Sequence, residues 1–364
     1  MLITFSVIVA IQLFYYLYFF RRFADYEQQP VNTVSLPPVS VIICTHNELN
    51  NLKKNLPSIL EQKYHTFEVI VVNDNSSDET ELLLMQMEAT YPNLVVRHIR
   101  NQSQHLRGKK YPLTIGIRAA RYDHVLLTDV DCFTSGDHWI RDMAGMFIER
   151  KEIVLGFAPY RKHPGFLNKF IRYETFFSAL QYFSFALAGF TYMGVGRNLA
   201  YRKQLFFDHN IYPKYPQLIS GDDDLLINAA ATKHNTAIQT SKSSFMYSEP
   251  KLTWDEYWFQ KRRHVSTSKY YKGKHKWQLG LLAAVNVLFY PALIICIIYS
   301  GYAVEALLLF LIKLFIQGAV YNSVMKKLEA YDLFLLFPLM DLAFMIYYLK
   351  LVTHINNPST DRWK

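Results

Sequence analysis

Cysteine is scarce in this 364-residue chain: three residues, Cys44, Cys132 and Cys296, stand scattered, with no metal-ligand spacing and no even count. That argues against a disulfide scaffold or a zinc module and fits a reducing compartment for the soluble part. Internal repeats and low-complexity tracts are missing, so neither a solenoid nor a disordered tail organises the chain. The first apolar run also lacks the preceding positive charge and the following small-residue cleavage site of a secretory signal. What the chain has is a net charge of +9 and a 16% aromatic share. The charge suits nucleic acid, an anionic membrane face or an anionic substrate. The aromatics fit membrane-interface belts and sugar-stacking surfaces better than nucleic acid.

Long apolar runs gather at the two ends. Leu2 to Phe20 carries no charge and is followed at once by Arg21-Arg22. About 20 helical residues cross a bilayer core, so this run is expected to span, with the next domain on the cytoplasmic, positive-flank side. Leu279 to Ser300 is uncharged, Val304 to Val320 is broken by Glu305 and Lys313, and Leu333 to Leu349 by Asp341. Lys326-Lys327 between the later runs again favours a cytoplasmic catalytic domain. A multi-pass cell-membrane protein with about four spans is expected.

Between these ends, buried-strand runs at Val39–Cys44, Phe67–Val72, Leu94–Ile99 and His124–Asp129 alternate with helical spacing over residues 51–62, 79–91 and 112–121. That rhythm predicts an α/β domain with a doubly wound, mostly parallel sheet. The last of these strands ends in Asp129-Val-Asp131. On a strand, i and i+2 share a face, here at the C-terminal edge where ligands sit in open α/β sheets. Two hard oxygen ligands there suit Mg²⁺ or Mn²⁺ held together with a substrate's phosphates; solvated loop carboxylates are the competing reading.

The ordered set Thr45-His-Asn47-Glu48, Asp74-Asn-Ser-Ser-Asp78, Gly108-Lys109 and Asp129-Val-Asp131 resembles the nucleotide-binding half of family 2 glycosyltransferases, whose fold is the Rossmann-like GT-A type. The resemblance runs from about Val39 to His264. It implies that Thr45, Asn47, Glu48 and Asp74 face the nucleoside, and that Asp131 is the metal ligand. Asp129 also counts in that metal pair, although it is expected to face the sugar or ribose. Lys109 either meets the diphosphate or, with Lys110, simply opens a solvated helix. Asp78 is explained equally well as a cap.

From Phe166 to Thr191 the chain is rich in Phe, Tyr and Leu, interrupted by Gln181 and Ser184, and is expected to form packing or membrane-interface helices. Met193-Gly194-Val-Gly196-Arg197-Asn198 resembles the family's acceptor-side loop; an ordinary Gly-rich turn explains it as well, and a βαβ context for a nucleotide loop is lacking. Ser220-Gly-Asp222-Asp223-Asp224 opens a helix expected to reach about His234. One acid suffices to cap a helix, whereas three adjacent carboxylates repel and raise at least one pKa, the condition for a general base. The family places its catalytic carboxylate here, which makes Asp223 the base, Asp222 its support and Asp224 a cap or ion-pair partner. Thr253 to Glu256 is a capping box opening a helix with Gln260, Arg263 and His264. These match the Gln-x-x-Arg-Trp of membrane-bound relatives, with His264 in place of the Trp; the resemblance puts Gln260 and Arg263 at the diphosphate and acceptor side. The alternative is a basic helix on anionic lipid.

The expected organisation is a membrane helix over 1–22, a linker over 23–38, a GT-A domain over 39–264, a basic interfacial segment over 265–278, membrane helices over 279–351 and a polar tail over 352–364. The resemblance implies an inverting, metal-dependent transferase using a nucleotide-diphosphate sugar, a UDP-sugar first, and a membrane lipid or growing glycan as acceptor, in the manner of ceramide-type glucosyltransferases. The competing readings are a processive polysaccharide synthase and a catalytically silent scaffold of the same fold. Nucleic acid is not an expected partner, because it explains the charge but neither the spans nor the carboxylates.

Overall fold

The computed structural model describes residues 1–31, 35–100, 108–299 and 301–355. They form two compact units. The sheet unit comprises the described residues of Gln28–Lys162 and Thr191–Leu252. The helical unit comprises Met1–Glu27, His163–Phe190 and the described residues from Thr253 onward. Two segments inside the expected 39–264 domain therefore group with the helices. The reason is compositional: Phe166–Leu187 is buried on almost every side and packs best among apolar helices. Residue 300 and the tail from 356 lie outside the described residues.

In the sheet unit, strands β1 (Val39–Thr45), β2 (Phe67–Asp74), β3 (Leu94–Ile99) and β4 (His124–Asp129) are joined through helices α2 (Leu49–Leu60), α3 (Thr80–Thr90) and α4 (Lys110–Ala119). The short β5 (Cys132–Thr134), α5 (Trp139–Ala144) and β6 (Ile153–Leu155) follow. After the helical excursion the chain returns as β7 (Leu199–Arg202), α7 (Lys203–His209), α8 (Asp224–Ala230), β8 (Thr236–Ile238) and β9 (Met246–Ser248). Sheet order is β3-β2-β1-β4-β7-β6-β8, with β5 and β9 forming a small second sheet. The first four strands are mutually parallel. β7 runs antiparallel to both neighbours, so the doubly wound pattern is interrupted where the chain re-enters the sheet.

Every residue of β1 is buried, as expected for a strand covered on both faces. Val39, Val41 and Ile43 meet Leu52, Leu56 and Ile59 of α2 and Trp139, Ile140 and Met143 of α5. On the opposite face α4 presses close: a Cβ on Gly116 would lie 2.6 Å from Ile42 Cγ2 and 3.2 Å from Val72 Cγ2, so only glycine allows this approach.

The helical unit contains α1 (Leu2–Ala24), α6 (Phe166–Leu187), α9 (Trp254–Val265), α10 (Gly273–Tyr299), α11 (Ala303–Lys327) and α12 (Phe337–Ile355). Among the described residues four helices are long and apolar enough to cross a membrane: Leu2–Ala24, Gly273–Tyr299, Ala303–Lys327 and Tyr331–Leu351. Phe5, Ile8 and Val9 pack against Val285, Phe289 and Leu293, while Ile3, Phe315 and Leu335 point outward. Of the charged residues that interrupt the apolar runs, Lys313 and Asp341 are paired inside and Glu305 is exposed. Asp341 accepts from Tyr173 Oη at 2.7 Å, Lys313 Nζ at 3.0 Å and Gln317 Nε2 at 2.6 Å. Gln12 Nε2 donates to Asn286 Oδ1 at 2.9 Å, and Arg172 forks onto Asp332 at 2.8 and 2.7 Å. In hydrocarbon such groups persist only when satisfied by one another.

Candidate active site

Strand register builds the site. Cys44 stands opposite Asp129 and Thr45 opposite Asn73, so β1, β2 and β4 deliver Thr45, Asp74 and Asp129 to one C-terminal edge. Beyond β1 the chain turns sharply, with Asn47 at φ 54°, a left-handed conformation asparagine tolerates. Asn47 N donates to Ser76 Oγ at 2.9 Å, and its Oδ1 accepts from Ser77 N at 2.7 Å. Glu48 accepts from Asn51 at 2.6 Å and is half-buried. Asp78 accepts from Leu49 N at 3.2 Å and Thr80 N at 3.1 Å, so it ties the two turns together as a cap. Asp74 is buried, and burial pushes its carboxyl above the usual range against the opposing pull of His46. His46 Nδ1 is itself 2.6 Å from Asp74 O.

Lys109 and Lys110 are not a solvated pair. Lys109 Nζ donates to Asp129 Oδ1 in a close ion pair. Burial disfavours its charge, but Asp129 and Asp222 outweigh that and hold the ammonium. Lys110 is buried and donates to Tyr215 O at 2.9 Å and Leu218 O at 2.6 Å. Its pKa is pulled down to about 8 by burial, against the carboxylates of Asp222 and Asp224. A Cβ on Gly108, whose φ is +66°, would lie 2.4 Å from Ile219 O. Residues 108–110 thus clamp the turn that leads into the acidic triad.

In that triad Asp223 is the N-cap of α8, which ends at Ala230, well short of His234. Its Oδ1 accepts from Asp224 N at 2.7 Å and its Oδ2 from Gly196 N at 2.6 Å. Burial, then the charges of Asp222 and Asp224, raise its carboxyl well above the ordinary value, and the two N–H donors only partly offset this. Asp224 is buried and accepts from Leu225 N at 2.8 Å. Capping is therefore shared between Asp223 and Asp224 rather than confined to Asp224.

The glycine loop brings β7 to this acid. A Cβ on Gly196 would stand 3.0 Å from Asp223 Oδ2, so glycine permits the close backbone approach. Gly194 is buried, and a Cβ there would stand 2.7 Å from Leu199 Cδ1 and 3.3 Å from Ile227 Cγ1. Arg197 is half-buried, stacked 4.3 Å above Tyr160, and donates to Ser248 Oγ. Fully buried Asn198 anchors the loop. It donates to Phe157 O and Ser244 O, both at 2.8 Å, and accepts from Trp139 Nε1 at 3.0 Å. Trp139, Tyr160 and Ser248 carry no motif; only their spacing in three dimensions marks them. Gln260, Arg263 and His264 lie on α9 of the helical unit, behind the observed Thr253–Glu256 capping box.

Among the described residues no three His, Cys, Asp or Glu side chains group as a metal cage. Asp129 already carries Lys109, and Asp131 Oδ1 lies 3.6 Å from Cys132 Sγ. That donor set fits an ion of the Mg²⁺ or Mn²⁺ type, which binds through one or two carboxylates and takes its remaining ligands from phosphates and water. Thiolate chemistry is not available: burial raises Cys44 to about 12 and Cys132 well above its usual value.

A Rossmann-like sheet with carboxylates and cations along one C-terminal edge, followed by an acidic helix cap across the antiparallel β7, defines a glycosyltransferase domain of the GT-A class. Residues 40–207 match the model of Glycosyl transferase family 2, and the chain carries a domain of that family. Over 124 residues it is 30% identical to a poly-β-1,6-N-acetyl-D-glucosamine synthase of Staphylococcus aureus, an alignment covering 34% of this chain and 29% of that one. The corresponding synthase of Staphylococcus epidermidis is 29% identical over 99 residues, 27% of this chain and 23% of that one. The chain thus spans less than a third of the length of the curated relatives it matches. The mannosyltransferase PcManGT of Pyrobaculum calidifontis, solved with GDP-Man and Mn²⁺, superposes over 99% of both chains with a TM-score of 0.62 at 17% identity. That likeness concerns the fold.

Proposed function

We propose that the protein is a membrane-embedded, inverting glycosyltransferase that uses a nucleotide-diphosphate sugar, a UDP-sugar first, and a hydroxyl of a membrane lipid or growing glycan. The observation that carries this is Asp223: one carboxylate, raised above the normal range, held by two backbone N–H groups and flanked by the Asp129–Lys109 edge. A base with an elevated pKa takes a proton from an alcohol better than an ordinary carboxylate does. Asp223 accepts the acceptor's proton as its oxygen attacks the anomeric carbon, and the bond to the diphosphate breaks on the opposite face. One displacement inverts the centre.

Thr45, Asn47, Glu48 and Asp74 face the nucleoside, where carboxylates accept from ribose hydroxyls or a base N–H. Asp131, with Asp129, is the place for Mg²⁺ or Mn²⁺, which when bound neutralises the departing diphosphate. Lys109 and Arg197 add fixed positive charge there, and Asp222 supports the base electrostatically. Gln260, Arg263 and His264, with Arg263 as the cation, are assigned to the diphosphate and acceptor side on the resemblance. The catalytic domain, 39–264 in sequence, is assigned to the cytoplasm by the positive flanks of the spans.

The partial identity to a polysaccharide synthase favours one variant of this reading, a processive synthase extending a hexosamine polymer. The test is release of free nucleotide by the full-length, detergent-purified chain across panels of UDP- and GDP-sugars, with Mn²⁺, Mg²⁺ or EDTA and membrane lipid extract. Metal-dependent release for one donor is expected. No release for any donor, with lipid present, contradicts the enzyme reading and leaves the silent scaffold.

A further inference from the structure

We infer that Tyr160 and Ser248 are positioning residues that hold Arg197 as a pre-set cation for the donor diphosphate beside Asp129 and Asp131. This rests on the nucleotide-diphosphate reading above and adds to it a mechanism for keeping one cation in place.

The geometry is specific. The Arg197 guanidinium lies 4.3 Å over the Tyr160 ring and donates through Nη1 to Ser248 Oγ. Stacking fixes the plane of the guanidinium and the serine fixes its rotation, so a long side chain loses its freedom before any ligand arrives. The platform beneath is itself rigid. Ser248 is buried and pairs with Cys132 across β5 and β9. Its N donates to Pro159 O at 3.1 Å, and its O accepts from Arg161 N at 3.0 Å, so the segment holding Tyr160 is tied to the same residue by an isolated bridge. Phe133 and Tyr247 stack across the two strands at 5.8 Å, and Arg161 covers Phe133 at 4.3 Å.

The charges point the same way. Ser248, which Arg197 bonds, is paired with Cys132, the residue next to Asp131; burial works against the Arg197 cation, but Tyr160 and Cys132, then Asp131 and Asp129, favour it. Lys109 is already committed to Asp129. A guanidinium held rigid beside this edge presents a planar fork, the shape that binds phosphate oxygens in pairs. Pre-ordering a side chain lowers the ordering cost of binding, so the gain falls on phosphate contacts alone.

The experiment compares affinities of UDP and uridine, and of GDP and guanosine, for the full-length protein in detergent with Mn²⁺ fixed. Tyr160→Leu and Ser248→Ala are expected to weaken diphosphate binding roughly five- to thirtyfold while leaving nucleoside binding unchanged. Tyr160→Phe keeps the ring face and is expected to bind like wild type. In an Arg197→Ala background, Tyr160→Leu should add nothing. Equal loss of nucleoside and diphosphate affinity, an unchanged ratio, or failure of Tyr160→Phe to preserve it would overturn the inference. Wild-type protein that binds neither diphosphate would overturn the donor reading itself, a separable result.

Discussion

Asp223 accepts hydrogen bonds on both carboxylate oxygens yet keeps a raised pKa, because burial and two neighbouring acids outweigh those bonds. The sign follows directly. A base with a raised pKa gains its active, ionised form only as pH climbs past the usual carboxylate range, so the acid limb of kcat should lie above about pH 4. Removing one repelling charge favours ionisation. Asp222→Asn should therefore move that limb to lower pH, read from kcat–pH profiles; an unmoved limb would mean that Asp222 does not act on the base. At this scale the sequence was legible where chemistry is contiguous: Asp129-Val-Asp131 and Asp222-Asp223-Asp224 announce themselves as runs of acid. Arg197 was visible in its loop, but its partners were not. Tyr160 and Ser248 meet it only through the pairing of β5 with β9, and nothing in the local sequence of either encodes that. Lys109 and Lys110 read equally well as solvent-facing, and only the packing of residues 215–222 against them excluded that.

The glycine loop between α6 and β7 has almost no regular structure, so its shape depends on Asn198 and on the α5 tryptophan that donates to it. Trp139 is fully buried in the cluster beneath β1. Trp139→Ala should cost about 3–5 kcal/mol from the lost volume. A further cost, about 1–3 kcal/mol, comes from leaving the Asn198 Oδ1 unpaired in the interior. Urea unfolding followed by circular dichroism would measure it; a loss under about 1 kcal/mol would show that the core collapses around the gap. The first four strands were readable from alternation of apolar runs with helical spacing. The antiparallel β7 was not, because Leu199–Arg202 is four residues long and its direction is set by a chain that leaves the sheet and comes back. The short α8 was overextended for a similar reason: Ala229, Ala230 and Ala231 are good helix formers, but the helix stops at Ala230.

Across the whole molecule the apolar ends were the clearest signal, and the four long helices coincide with them to within a turn or two. Lys313 and Asp341, which broke the pattern, are the groups that hold helices together. Asp341→Ala should strand Lys313 in an apolar interior and destabilise the helical unit by about 3–5 kcal/mol, whereas Lys313→Met with Asp341→Asn, which leaves no unpaired charge and keeps an acceptor for Tyr173 and Gln317, should cost less. Thermal melting in detergent separates the two; equal losses would contradict the pairing. Sidedness is testable because the three native cysteines are all buried. Met85 is 58% exposed on the sheet unit. Met85→Cys should react with a membrane-impermeant maleimide only after the cells are opened, and labelling of intact cells would place the catalytic domain outside.

The central claim is that Asp223 removes the acceptor's proton. With a donor in hand, the decisive measurement is single-turnover sugar transfer by wild type and Asp223→Asn at saturating donor, alongside nucleotide affinity for both. The account predicts that the variant binds nucleotide as wild type does and transfers at least about 10²–10⁴-fold more slowly. Transfer at an undiminished rate with intact binding would remove Asp223 from the chemistry.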